Sequence, residues 1–122
     1  MKKISISIEG VKIEAELNNS RTAEKIWELI PIEGQINTWG DEIYFSIGEK
    51  IELEEGASEV VTLGDLAYWP PGEAFCIFFG KTPASQDDDI RAASSVNVFG
   101  KIIGDAKIFK QVPSGAKISV QK

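Results

Sequence analysis

The groups in this sequence that could do chemistry are few: the carboxylates Asp41, Glu42 and Asp65, the run Asp87-Asp88-Asp89, and the thiol of Cys76. Two carboxylates can divide the roles of general acid and general base when one sits in an apolar pocket that raises its pKa. Asp41, Glu42 and Asp65 all stand next to turn residues, where the ordinary expectation is an acid solvated by water. Carboxylate oxygens also suit hard cations, but the Asp87–Asp89 run lacks the alternating ligand spacing and central glycine of a calcium loop. It reads as a solvated loop. The chain contains no His, so no Ser-His or Cys-His nucleophile pair and no histidine metal ligand is available. Cys76 lies within an apolar run and is the only cysteine. An intrachain disulfide is therefore impossible, and a buried, inert thiol is expected. No glycine pattern follows a strand and opens a helix, so nothing predicts a phosphate loop, and no cofactor is expected.

What remains is an aromatic stretch, "GDLAYWPPGEAFCIFFGKTP", Gly64 to Pro83, with eight aromatic or proline residues and no His, Ser or Arg. Pro70-Pro71 makes a rigid corner, because proline fixes its own backbone and pushes its predecessor toward extended geometry. Tyr68 and Trp69 point to opposite faces of the strand before that corner, so one of them faces an interior and the other does not. In the strand after it, Phe75, Ile77 and Phe79 share one face, while Cys76 and Phe78 share the other. One of these faces can wall a groove that accepts proline or another apolar group; the alternative is that the aromatics fill a core. With Trp39 and Tyr44 upstream, the candidate ligand-binding set is Trp39, Tyr44, Tyr68, Trp69, Phe75, Ile77 and Phe79.

The elements that must position these residues are mostly strands. "KKISISIEGVKIEAELN" alternates Ile4, Ile6, Ile8 and then Val11, Ile13, Ala15, Leu17 around Glu9-Gly10, the pattern of a hairpin of half-buried strands. The period then lengthens: Ala23, Ile26, Trp27 and Ile30 lie on one helical face, with Ser20 or Thr22 as cap and Pro31 as stop. "GQINTWGDEIYFSI" predicts two short strands around Gly40-Asp41. The acid-rich segment 48–59 reads as an exposed, partly extended connection. Strands are expected at Val60-Val61, at Leu66 to Trp69 and at Ala74 to Phe79, the last apolar on both faces and so needing a barrel interior on one side and a helix on the other. "KTPASQDDDIRAAS" reads as a surface loop, "SVNVFGKIIG" as a strand, Asp105 to Val112 as a short helix and "AKISVQ" as the last strand. Many short strands with two short helices predict a mainly β barrel.

Length and charge bound the partners. At 122 residues the chain fits one domain, residues 1–122, and a chain of this size buries roughly 65% of its unfolded surface without needing staples. A net charge of −6 with scattered basic residues argues against a nucleic-acid partner. No apolar run approaches the roughly 20 residues of a membrane span, so no membrane partner is expected and the cytoplasm is the simplest compartment.

In that order and spacing, "INTWGDEIYF", "GDLAYWPPGEAFCIFFGKTP" and "SSVNVFGKI" resemble the small stand-alone cyclophilin-like proteins of archaea and thermophilic bacteria, a family of unknown function. The resemblance covers essentially the whole chain and implies a closed eight-stranded β barrel capped by two helices. Cyclophilin isomerases carry an arginine just before a Pro-Gly corner, whose guanidinium weakens the proline amide. Aligning Pro71-Gly72 on that corner puts Tyr68 near the arginine's place and Phe75 near the phenylalanine of the proline pocket. The isomerase glutamine falls near Ile77 or Phe78. The two arginines, Arg21 and Arg91, fall in a cap region and a loop. A neutral phenol lacks the charge and fork of a guanidinium; with the aromatic stretch beside Trp39 and Tyr44 and no nucleophile, base or metal set, the expectation is a domain that binds an apolar small molecule, a proline-containing peptide or a protein partner without efficient catalysis. Its rival is a peptidyl-prolyl isomerase with a rearranged site. Related barrels also occur as domains of amide-hydrolysing and oxoproline-handling enzymes, an analogy of fold that leaves open a subunit of a larger assembly.

Overall fold

The first hairpin sets the geometry of the rest. Ile4, Ile6 and Ile8 of β1 (Lys3–Ile8) point into the core, and β1 pairs antiparallel with β2 (Val11–Leu17) through Ile4↔Ala15, Ile6↔Ile13 and Ile8↔Val11. Both turn residues take positive φ, 45° at Glu9 and 82° at Gly10, the sense of turn whose twist matches the strands it joins. The computed structural model describes residues 2–122. After this hairpin the chain forms α1 (Arg21–Leu29), β3 (Ile32–Gln35), β4 (Asn37–Thr38), β5 (Glu42–Ser46), β6 (Ser58–Val61), β7 (Asp65–Trp69), β8 (Ala74–Phe78), β9 (Ile90–Ile103) and β10 (Lys117–Gln121). Short 3-10 helices stand at Pro70–Gly72 and Ala106–Gln111.

Helix α1 starts and stops where its sequence dictates. The Ser20 hydroxyl accepts from the Ala23 amide at 3.1 Å, satisfying one of the free donors of the first turn. The Glu54 carboxylate satisfies another, accepting from the Thr22 amide at 2.9 Å and from the Thr22 hydroxyl. Pro31 follows directly after the last turn, and α1 buries Ala23 and Ile26 against the sheet. Among the described residues no helix is long and apolar enough to cross a membrane.

The expected closed eight-stranded barrel is corrected on two counts. The sheet has ten strands, and it follows an open path, β3-β10-β1-β2-β9-β7-β8-β5-β4, with β6 paired to β9 beside it. Among the described residues no ladder joins the two end strands. They are instead consecutive in the chain, separated only by Ile36, so one extended segment pairs with β10 through its first half and with β5 through its second. The second expected helix is the 3-10 helix Ala106–Gln111, capped by the Asp105 carboxylate.

Two apolar clusters lie on opposite faces of this sheet. The larger holds the isoleucines of β1 together with Phe45, Leu66, Tyr68, Phe75, Ile77, Phe79, Phe99 and Phe109. Phe75 is its hinge point, stacked on Phe45 at 5.2 Å between centroids and edge-on to Phe99 at 5.1 Å. The smaller holds Val61, Ala67, Ala74, Cys76, Phe78, Ala92 and Val96. The outer face of β8 was expected to need a helix as cover. It is covered by strands, because β9 runs 14 residues from Ile90, its first half pairs with β6, and together they fold over the Cys76 side. The segment read as a surface loop through Ser94 therefore ends at Ile90, and Arg91 stands on a strand.

Segment 48–57 is also more than an exposed connection. Tyr68 donates to the Glu49 carbonyl at 2.5 Å and accepts from the Ile51 amide at 3.1 Å. Buried Asn97 donates to the Glu52 carbonyl at 2.9 Å and accepts from the Glu54 amide at 2.8 Å. Two core side chains thus tie the segment down by its backbone.

Candidate functional site

A mostly apolar cleft opens on the outer face of the sheet, where β5, β7 and β8 meet the beginning of β9. It has a volume of about 290 Å³ and is lined by Trp39, Glu42, Tyr44, Trp69, Ala92 and Ala93. Strand alternation explains the set. Across β5 and β8, Tyr44 pairs with Cys76 and Glu42 with Phe78; across β7 and β8, Trp69 pairs with Ala74. Glu42, Tyr44 and Trp69 therefore share the Cys76 face, while Ile43, Phe45 and Tyr68 point the other way, into the larger core.

Two of the three aromatic walls are held by specific contacts. Trp39 precedes a two-residue turn closed by reciprocal bonds, Trp39 amide to Glu42 carbonyl at 2.9 Å and Glu42 amide to Trp39 carbonyl at 3.2 Å. Gly40 in this turn has φ +59°, and a Cβ there would stand 2.9 Å from the Lys81 carbonyl and from Thr82 and Pro83. Only glycine lets the turn dock on that segment. Trp69 donates its indole N–H to the Ser94 hydroxyl at 2.7 Å, and its ring lies where a side chain on Gly72 would be, within 2.9 Å. One wall is thus tied to β9 and packed on the proline corner.

Glu42 is the one charged residue in the lining, and it is only 6% exposed. Among the described residues no basic group pairs with it. Its chain neighbour Asp41 leaves the strand on the opposite side, against Gly80 and 3.7 Å from Lys110. Arg91, next to the lining alanines, is engaged by Asp89 at 2.7 Å. Burial pushes the Glu42 carboxyl up from 4.5 to about 7, opposed in part by the Cys76 thiol beside it. That thiol has one proton and two acceptors within reach, Glu42 and the Ala74 carbonyl at 3.8 Å. Cys76 is fully buried, and burial together with the charge of Glu42 raises its own pKa, so it is an inert neighbour.

The seven aromatic and apolar candidates divide between the two faces. Trp39, Tyr44 and Trp69 line the cleft. Tyr68, Phe75 and Ile77 have no exposed surface and Phe79 has 3%; they belong to the larger core. The groove lies on the face of Cys76, and the face of Phe75 fills the interior. Tyr68, aligned with the isomerase arginine, has its hydroxyl occupied by the backbone of Glu49 and Ile51. Of the carboxylates, Asp65 accepts from the Thr62 amide at 2.8 Å and meets Lys101 at 3.3 Å, a structural role at a turn. Glu42 was legible as an acid beside a turn. The signal that separates it from Asp41 is its two-residue spacing from Tyr44, which puts both on one face. Ala92 and Ala93 carried no signal, because the start of β9 reads as loop.

Three comparisons bear on this arrangement. The cyclophilin-like family model matches residues 2–121. The solution structure of the hypothetical protein AF2241 from Archaeoglobus fulgidus is 42% identical, covers 98% of this chain and 92% of its own, and superposes with a TM-score of 0.81. The structure of McbB in complex with tryptophan shares the fold at a TM-score of 0.72 with 14% identity; the match takes in 98% of this chain but 44% of McbB. No curated protein matches the chain. With a family model spanning nearly every residue and a relative 42% identical over 98% of the chain with the same fold, the chain belongs to the cyclophilin-like family.

Proposed function

We propose that the domain works by binding, and that its site is the cleft between Trp39, Tyr44 and Trp69, which takes a small molecule with an apolar or aromatic face. The observation that carries this reading is the convergence of three partly buried aromatic side chains on one cavity, two of them held by contacts that keep the walls in place. A volume of about 290 Å³ stands at the small end of ligand pockets, roughly 300–1,000 Å³. That size favours a compact ligand over a peptide lying along a groove. The lining carries a carboxylate and no arginine, whereas proline isomerisation is helped by a positively charged donor at the amide. This contrast favours binding over isomerase activity.

The three tryptophans provide the test. Trp39 and Trp69 line the cleft, and Trp27 lies elsewhere, under the ammonium groups of Lys2 and Lys122. In a fragment screen followed by the indole N–H signals, compact aromatic fragments should move those of Trp39 and Trp69 together and leave that of Trp27 in place. Fragments that move all three alike, or a proline peptide that moves the pair more strongly than any fragment, would refute the small-molecule reading.

A further inference from the structure

An apolar cleft of this size has no need of an ionisable group, yet a carboxylate is built into its floor. Glu42 is at least nine-tenths buried, lines the cavity and, among the described residues, has no basic partner. A buried carboxylate without a counter-charge is costly to ionise, and a cation from outside the chain would stabilise its charged form. Around it stand two indoles and a phenol, whose ring faces carry negative potential and attract cations. The molecule as a whole carries a net charge of −6, which also raises the local concentration of cations.

Resting on the reading of the cleft as a small-molecule site, we infer that its ligand is a cation: a small protonated amine whose ammonium group meets the Glu42 carboxylate while its body lies against Trp39, Tyr44 and Trp69. No basic residue lines the cleft among the described residues, and the cations beside its flanking residues are engaged elsewhere, Arg91 by Asp89 and Lys110 by Asp41. An ammonium ion supplies what the cleft lacks, donors for the carboxylate and a positive charge for the rings. A neutral apolar ligand would leave Glu42 desolvated and unpaired.

The groups facing Glu42 make the inference testable by pH. From its own strand Tyr44 shares the lining with it, and from β8 it meets the Cys76 thiol, whose pKa is raised. Trp69 of β7 and the alanines of β9 contribute nothing ionisable, and Asp41 turns away toward Lys110. Glu42 itself, with its pKa pushed up to about 7, is then the group that titrates near neutrality. Binding an ammonium ion favours its ionised form, so amine affinity should rise as pH passes upward through that value.

The experiment compares 2-phenylethylamine with its neutral analogue 2-phenylethanol, using titration calorimetry and the Trp39 and Trp69 indole signals on the intact protein. At about pH 8 the amine should bind roughly tenfold or more tightly than the alcohol, a preference that should shrink to about twofold at about pH 5 and in Glu42→Gln at either pH. The Gln variant keeps the size of the side chain and should still bind the alcohol. Equal binding of amine and alcohol by the parent would overturn the inference while leaving the cleft a neutral-ligand site. Binding of neither would overturn both. Tighter binding of the alcohol below pH 7 would make Glu42 a neutral hydrogen-bond donor, which also overturns it. A blocked lysine derivative, N-acetyl-lysine methylamide, binding more tightly than the free amine would transfer the site to a protein partner and overturn the small-amine assignment.

Discussion

Trp69 and Ser94 are joined by a 2.7 Å hydrogen bond from the indole N–H to the hydroxyl, and that bond ties the β7 wall of the cleft to the strand that roofs it. Neither residue would hold the wall alone, because the indole could otherwise swing away from β9. Ser94→Ala should leave the indole N–H without its partner, lowering stability by about 1 kcal/mol and weakening ligand binding by loosening the wall. A thermal melt and the Trp69 indole shift check this. An unchanged indole signal would show that packing on Gly72, and not the hydroxyl, orients the ring.

Gly72→Ala approaches the same ring from below. The added Cβ would stand 2.9–3.0 Å from the Trp69 ring, closer than real contacts allow. Trp69 must shift, so the variant should lose about 1–3 kcal/mol of stability, as overpacked sites do, and ligand affinity should fall with it. Denaturant unfolding together with the titration used for the parent measures both. Full affinity in this variant would mean that Trp69 does not contact the ligand.

Glu42 should make the ligand-free protein less stable as pH rises. Its folded pKa of about 7 lies above the ordinary 4.5, so between those values the folded chain holds a proton that the unfolded chain has released. Stability contributed by the protonated form is full below about pH 4.5, falls through the interval and stays lost above about pH 7. At roughly 1.4 kcal/mol per unit, the loss totals about 3 kcal/mol. Glu42→Gln should therefore match the parent at about pH 4 and exceed it by roughly 2–3 kcal/mol at about pH 8. Chemical denaturation at the two pH values is the measurement, and an equal difference at both would remove ionisation as the cause.

Tyr68→Phe separates the two faces of the sheet. Removing the hydroxyl strands the Glu49 carbonyl and the Ile51 amide, so segment 48–57 should loosen at a cost of about 1–2 kcal/mol. Hydrogen exchange at the Ile51 amide should speed up. Ligand affinity should stay at the parent value, since Tyr68 faces the core; a large loss of affinity would return Tyr68 to the site.

Much of this molecule is set by local pattern. Alternating isoleucines in β1, the Glu9-Gly10 turn, the Ser20 cap and Pro31 stop, and the two-sided apolar run of β8 each follow from rules that act over a few residues, and the structure carries them all. The seven-residue candidate set likewise contained every aromatic of the cleft. What period two alone could not decide is which face of β8 is inside. That depends on what packs on each side, and the cover on the Cys76 side comes from β6, of which only Val60-Val61 reads as strand, and from the first half of β9, most of which reads as loop. Once that cover is placed, Phe75, Ile77 and Phe79 become interior, Trp69 and Tyr44 become walls, and Glu42 changes from an acid beside a turn into a carboxylate stripped of water. Composition determined that the chain has no histidine and one thiol to work with; tertiary packing decided which buried carboxylate meets a lysine, Asp65, and which lines a cleft, Glu42, because desolvation is a property of the neighbours a residue acquires and not of the residue.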